Sequence, residues 1–310
     1  MTQEKTPDLT VKIGPLVLKN PVIAASGTFG YGLELSDFVP PESLGAVIVK
    51  GLSLEPWPGN PLPRLVESSG GLINAIGLEN MGVEEFIKNH LDKIKATGAT
   101  VGANIIGRTV EEYAQVAKCL AKTPIDFLEL NVSCPNLSTP GGLSFGSDPE
   151  ICFKLTSMAV SAASGLPVFV KLPPLVTDIT ILAKKVEEAG ATAISLINTI
   201  PAMSVDIINK RPTLAHVTGG LSGPPIKPIA LRLVMLCAQA VNIPILGLGG
   251  VFTYQDALEF ILVGASAVQM GTAVLIDPLS PLKVIEGLSN YLKSQKISSI
   301  SLLKGQIQTA

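Results

Sequence analysis

Short, continuously apolar runs alternate along this chain with longer stretches in which apolar residues recur at helical spacing. The runs at 21–27 (PVIAASG), 45–51 (GAVIVKG), 100–107 (TVGANIIG), 126–133 (DFLELNVS), 166–172 (LPVFVKL), 193–199 (AISLINT), 243–250 (IPILGLGG) and 266–272 (SAVQMGT) are short and mostly rich in β-branched residues. That is the pattern of parallel strands buried on both faces. Between most of them, Val83–Ala96, Val110–Ala121, Asp148–Ala163, Asp178–Ala189, Pro228–Val241 and Tyr254–Val263 carry the helical period, and Gly98, Gly190 and Gly264 stand where helices stop. Eight strands alternating with helices predict an α/β fold, a (β/α)8 TIM barrel. A doubly wound sheet is the weaker alternative, because neither G-x-G-x-x-G nor G-x-x-x-x-G-K-[ST] occurs. Residues 9–21 alternate around Gly14-Pro15 and predict an N-terminal β-hairpin closing the barrel floor. With no linker, repeat or low-complexity tract, residues 1–310 read as a single barrel domain.

Composition narrows the class. Hydrophobic residues are 47% of the chain and charged ones 15%, so much of the chain is expected to be buried or to face a partner. No run reaches the roughly 18 apolar residues of a spanning helix; the segment around 229–251 is broken by Arg232, Gln239, Asn242 and Pro244. The polar opening MTQEKTPDLT has no signal-peptide core. A net charge of -2 without a basic stripe argues against nucleic acid. The four cysteines, Cys119, Cys134, Cys152 and Cys237, include no Cys-x-x-Cys pair, so no metal site is expected on this chain and the reduced cytoplasm is the expected compartment. The sequons at Asn131 and Asn136 then read as chance.

The polar residues cluster where the predicted strands end, which in such a barrel is the functional face. In chain order these are Ala25-Ser26-Gly27, Lys50-Gly51, Asn104, Asn131 with Cys134 and Asn136, Lys171, Asn198-Thr199, Gly247 with Gly249-Gly250, and Gly271-Thr272. One polar strand end is a cap; this many polar groups on one rim require a polar ligand to satisfy them. Glycine turns after strands seven and eight suit a phosphate, with Gly219, Gly220 and Gly223 as further candidates. Asparagines match a flat ring with alternating N–H and C=O edges, and Lys50 and Lys171 suit an anion, a substrate carboxylate or a reduced flavin. Cys134 reads as a small apolar residue, a nucleophile or a general base. His90 and His216, the only histidines, read as structural. The Gly/Ser/Pro-rich segment 135–149 is a candidate lid.

Taken together, NVSCPN (131–136), NAIGLEN (74–80), VKLPP (170–174), INT (197–199), TGGLSGPPIKPIALR (218–232), GLGGV (247–251) and QMGTA (269–273) resemble dihydroorotate dehydrogenase, class 1, from about Val11 to Pro278. Residues 55–80 and 218–228 resemble its B type. The resemblance implies oxidation of dihydroorotate to orotate in pyrimidine biosynthesis, with one FMN per chain across the barrel mouth. Ala25, Ser26, Gly27, Lys50, Asn104, Asn131, Lys171, Ile197, Gly223, Gly249, Gly250, Gly271 and Thr272 would hold FMN, Lys171 at the flavin pyrimidine edge and the last glycines and Thr272 at the phosphate. Lys50, Asn74, Gly77, Leu78, Asn131, Asn136, Asn198 and Thr199 would hold the substrate, with Cys134 as general base. It further implies a homodimer core joined by an iron–sulfur flavoprotein subunit that carries FAD and a [2Fe–2S] cluster and passes electrons to NAD. Pro201-Ala202 stands where a glycine-containing turn is expected, and His216 where an amide is expected. The alternatives are a fumarate-linked class 1 enzyme, a flavin barrel of the dihydropyrimidine dehydrogenase type, a non-redox phosphate-binding barrel with Lys171 as a Schiff base, and a subunit whose main role is to dock a partner. The charge balance argues against a tRNA dihydrouridine synthase.

Overall fold

The computed structural model of the chain describes residues 6–133 and 144–308. Eight parallel strands close into a barrel: β1 (Val22–Ala24), β2 (Ala46–Leu52), β3 (Val101–Ile105), β4 (Phe127–Asn131), β5 (Val168–Lys171), β6 (Ala193–Leu196), β7 (Ile245–Leu248) and β8 (Ala267–Met270). They run in chain order around the barrel, with β8 pairing β1 to close it. All strand residues are buried except Lys50 and Gly51 near the end of β2 and Asn131 at the end of β4. The apolar runs are continuous because inward side chains fill the barrel and outward ones lie under helices. Except for β2, which is as long as its run and ends one residue beyond it, the strands are shorter than the runs that predicted them, and β6 ends at Leu196, so Asn198 and Thr199 stand in the following loop.

The outer helices form where caps allow. Thr109 accepts the Glu112 amide ahead of Val110–Leu120, and Asp148 accepts the Glu150 and Ile151 amides ahead of Pro149–Ala162. Asp178 accepts the Thr180 amide, and Thr253 forms a capping box with Asp256 at Tyr254–Leu262. Gly98, Gly190 and Gly264 all sit at positive φ, as C-terminal stops require. The helix predicted over 83–96 contains a π turn, Ile87–Leu91, between two α segments. His90 lies on that turn and packs against Tyr31 (5.4 Å) and Phe86 (6.5 Å), a structural role. The sequence reading had no counterpart for the helices Thr272–Ile276 and Ser280–Ser294. The second buries Val284, Leu288 and Leu292 at four-residue spacing.

The N-terminal hairpin pairs Val11–Ile13 with Leu16–Leu18. Val11, Ile13 and Leu18 are buried, and a Cβ on Gly14 would meet Thr192 Cγ2 at 2.4 Å. Thr192 immediately precedes β6, so the hairpin seats against the N-terminal end of the barrel. At the opposite end, the loops after β2 and β6 build a four-stranded antiparallel sheet in the order Ile200–Met203, Thr218–Ser222, Gly71–Asn74, Leu65–Ser68. Pro201 therefore lies not in a turn but in a strand at the sheet's edge, where a residue without N–H is tolerated. No helix among the described residues is long and apolar enough to cross a membrane.

Candidate active site

The barrel strands deliver a buried polar cluster to their C-terminal ends. β4 carries Glu129 and, two residues on and facing the same way, Asn131. Glu129 is fully buried. Its Oε1 accepts from Asn104 Nδ2 of β3 (2.9 Å), and its Oε2 accepts from Ser195 Oγ of β6 (2.7 Å) and Gln269 Nε2 of β8 (2.7 Å). Lys171, at the end of β5 and 7% exposed, places its ammonium 3.9 Å from Oε1. Asn131 pairs in register with Lys171, and its Oδ1 accepts from Asn198 Nδ2 (3.1 Å). The Asn131 carbonyl accepts from Tyr113 Oη (2.6 Å), which ties the strand end to the helix beneath it. Among the predicted residues, the fold thus brings Asn104, Asn131, Lys171 and Asn198 together.

Lys50 reaches the same rim through an irregularity in β2. Val49 pairs with Ala103 and Leu52 with Ile105, so Lys50 and Gly51 together stand opposite Asn104 alone. Such a bulge re-aims a side chain. The Lys50 ammonium has no ion-pair partner among the described residues, although the side chain is only half-exposed. The added sheet brings two more predicted residues together. Asn74 Nδ2 donates to the Gly220 carbonyl (3.4 Å), and Gly220 packs so closely on Thr199 that a Cβ there would meet its hydroxyl at 2.0 Å. Gly77 and Leu78 follow in the same loop at positive φ, Gly77 against Asn60, with the Leu78 carbonyl accepting from Asn80 (2.9 Å).

A second set of residues lines the β7–β8 side. A Cβ on Gly250 would lie 3.0 Å from the Gly223 carbonyl, and one on Gly223 would lie 3.5 Å from Thr272 Cγ2. Thr272 Oγ1 is 2.8 Å from Ser222 Oγ. Gly249 packs on Ile197, while Gly271 faces only Thr28 and Ala25, at 3.6–3.7 Å. Ser26 and Gly27 continue from Ala25 along this rim. The amides of Gly223, Gly249, Gly250 and Gly271 donate to no carbonyl or side chain among the described residues. Amides without acceptors at neighbouring turns suit an anion. The turn is braced from outside by Lys227, bonded to Asp256 (2.6 Å) and Glu259 (2.8 Å). Burial works against both charges of the Lys227–Asp256 pair. The hydrogen bonds outweigh it, leaving the Asp256 carboxyl below its ordinary range and the Lys227 ammonium above its own.

A profile of the dihydroorotate dehydrogenase family matches residues 8–292. The chain belongs to the dihydroorotate dehydrogenase family. It is 47% identical over 304 residues to the "Dihydroorotate dehydrogenase B (NAD(+)), catalytic subunit" of Geotalea uraniireducens, covering 98% of this chain and 99% of that protein. The subunit of the same name from Alkaliphilus metalliredigens is 47% identical over 300 residues, 97% of this chain and 99% of its own. That from Trichlorobacter lovleyi is 48% identical over 303 residues, with the same coverage.

The flavin that this family implies fits the residues present. The unpaired glycine amides suit a phosphate, and a buried cation with adjoining amides suits the polar edge of a ring. The predicted Cys134 and Asn136, and most of the candidate lid, lie outside the described residues. Cys152 and Cys237 are buried on helices, and burial pushes both thiols up to about 12. Cys119 is half-buried on Val110–Leu120. His216 is exposed, its carbonyl accepting from the Thr218 amide (2.7 Å). The sequence reading missed Glu129, Ser195 and Gln269. Their signal was present: a carboxylate in FLELN and an amide in AVQM are polar residues inside strands buried on both faces.

Proposed function

We propose that this chain is the catalytic subunit of an NAD-linked dihydroorotate dehydrogenase, oxidising dihydroorotate to orotate in pyrimidine biosynthesis. The observation that carries the reading is the buried Lys171 beside Asn104, Asn131 and Asn198 at the barrel mouth, next to a turn of unpaired glycine amides. FMN, when bound, supplies the hydride acceptor. Gly223, Gly249, Gly250, Gly271 and Thr272 hold its phosphate, and Ala25, Ser26, Gly27 and Ile197 line its path. Lys171, Asn104 and Asn131 face its polar ring edge.

The chain's own residues bind and orient the substrate. Lys50 pairs with the dihydroorotate carboxylate, and Asn74, Gly77, Leu78, Asn131, Asn136, Asn198 and Thr199 hydrogen-bond or enclose the ring. Cys134 takes the C5 proton as the C6 hydrogen leaves with its electron pair, so one proton and one hydride depart and a C=C bond forms. The chain acts as a single domain in the cytoplasm, as a homodimer joined to an iron–sulfur flavoprotein subunit. FAD and the [2Fe–2S] cluster belong to that subunit, which passes electrons to NAD. The word "catalytic subunit" in the relatives' names supports the division of labour.

Anaerobic absorbance of the purified chain tests this. A flavin band that bleaches on adding dihydroorotate is the expected result. A band that persists, both in the isolated chain and with its partner subunit, would remove the substrate assignment. A chain that takes up no FMN would remove the cofactor.

A further inference from the structure

Among the described residues Glu129 is the one buried carboxylate, and the reaction gives it no proton to move. It does not sit at the rim with the substrate residues but one layer below. Three strands send it a neutral donor each, Asn104 from β3, Ser195 from β6 and Gln269 from β8, and β5 sends the Lys171 ammonium. Ser195 is itself held by Gln269 (2.9 Å), whose Oε1 has no partner among the described residues. Every group reaching the two oxygens is a donor or a cation, so the site is built for an anion. Such a group is costly to bury, and an apolar residue would fill the barrel with less penalty. The carboxylate is therefore best explained by what it does to its one charged partner among the described residues, Lys171, which stands at the mouth.

We propose that Glu129 is a positioning residue for Lys171 and lowers the reduction potential of the bound flavin. The inference rests on the FMN reading above. Two effects follow from one contact. The carboxylate draws the ammonium to the β4 side of the barrel, fixing where the positive charge stands. It also cancels part of that charge, so the reduced ring, which carries more negative charge than the oxidised one, gains less from Lys171 than an unpaired lysine would give. A flavin whose potential is held down by a buried anion passes its electrons on more readily to the next acceptor, as a subunit that hands electrons to a partner must.

The test is the midpoint potential of bound FMN in the full-length holoprotein, by anaerobic dye equilibration. Glu129→Gln keeps the shape and removes the charge. It is expected to favour binding of reduced over oxidised FMN by about tenfold relative to wild type, a positive shift of about 30 mV for a two-electron couple. Glu129→Asp keeps the charge but withdraws it from Lys171, and is expected to give about a threefold change in the same direction. In a Lys171→Met background the Glu129→Gln shift is expected to fall to less than half. A merely structural role would destabilise the barrel without moving the potential in this order. Equal potentials in wild type and Glu129→Gln overturn the inference, as does an undiminished shift without Lys171. If Glu129→Gln does not fold, an Asp variant with the wild-type potential overturns it. A wild-type chain that binds no FMN refutes the cofactor reading instead, so the two failures are distinct.

Discussion

Replacing Gly250 by alanine tests whether the turn after β7 is shaped for its ligand or only for the chain. Gly250 has φ +82°, in the left-handed region, where a Cβ costs about 1–2 kcal/mol. That Cβ would also stand 2.7 Å from Lys227 Cβ and 3.0 Å from the Gly223 carbonyl. Neither neighbour yields easily. Lys227 is pinned by Asp256 and Glu259, and Asp256 also accepts the Phe252 and Thr253 amides. Overpacking of this kind costs about 1–3 kcal/mol, so the FMN-free chain is expected to lose about 2–5 kcal/mol in urea unfolding. If the turn relieves the clash by moving, its unpaired amides move with it. FMN affinity, followed by quenching of flavin fluorescence, is then expected to fall about 10- to 100-fold, or about 1.4–2.8 kcal/mol. Gly98 provides the control. It has φ +81° with nothing within 4 Å of its Cβ, so Gly98→Ala carries the backbone cost of about 1 kcal/mol without the clash and leaves FMN affinity unchanged. Wild-type FMN affinity and a wild-type unfolding midpoint in Gly250→Ala would refute the reasoning. Equal loss of FMN binding in Gly98→Ala would show that global destabilisation, not the turn, explains the effect.

Three further outcomes are expected. Asn198→Ala removes the donor to Asn131 Oδ1 and should weaken orotate binding about 10- to 100-fold, measured by the flavin spectral change, with FMN affinity much less affected. The folded-state pKa of Asp256 lies below its unfolded value, so its contribution to stability is present above the ordinary carboxylate range and is lost as pH falls below about 4. Asp256→Asn should therefore show a shallower decline in urea midpoint from pH 6 to pH 3, and a slope equal to wild type would contradict the pairing with Lys227. Alkylation of the native protein at pH 8, mapped by mass spectrometry, should spare Cys152 and Cys237 until the chain is unfolded, because burial pushes both thiols up to about 12 and keeps them protonated at pH 8. Rapid native labelling of either would show that its helix opens locally.

Periodicity and its consequences were legible in the amino-acid sequence. Continuous apolar runs between amphipathic helices specify a barrel because a strand buried on both faces has no polar side to alternate with, and seven of the eight strands lie inside the predicted runs, with β2 overrunning its own by one residue, Leu52. Helix stops at Gly98, Gly190 and Gly264 and the hairpin around Gly14 were legible for the same local reason, that only particular residues suit those backbone angles. The rim residues Lys50, Asn104, Asn131, Lys171 and Thr272 could be picked out as polar groups at strand ends. Tertiary structure alone decided which of them meet. That Asn131 bonds Asn198, that Thr199 and Asn74 share Gly220, and that the Gly223 carbonyl stands against Gly250 depend on contacts between segments far apart in sequence. The added sheet was invisible because its strands are short, Gly-rich and half-exposed, without the long apolar runs that announce the barrel. Ser280–Ser294 escaped because Pro278 and Pro281 look like loop residues, yet a proline is tolerated in the first turn of a helix. Glu129 shows the limit most clearly. Its letter marks it as polar, but only barrel closure, which sets β3, β5, β6 and β8 around one carboxylate, makes its burial possible and ties it to Lys171.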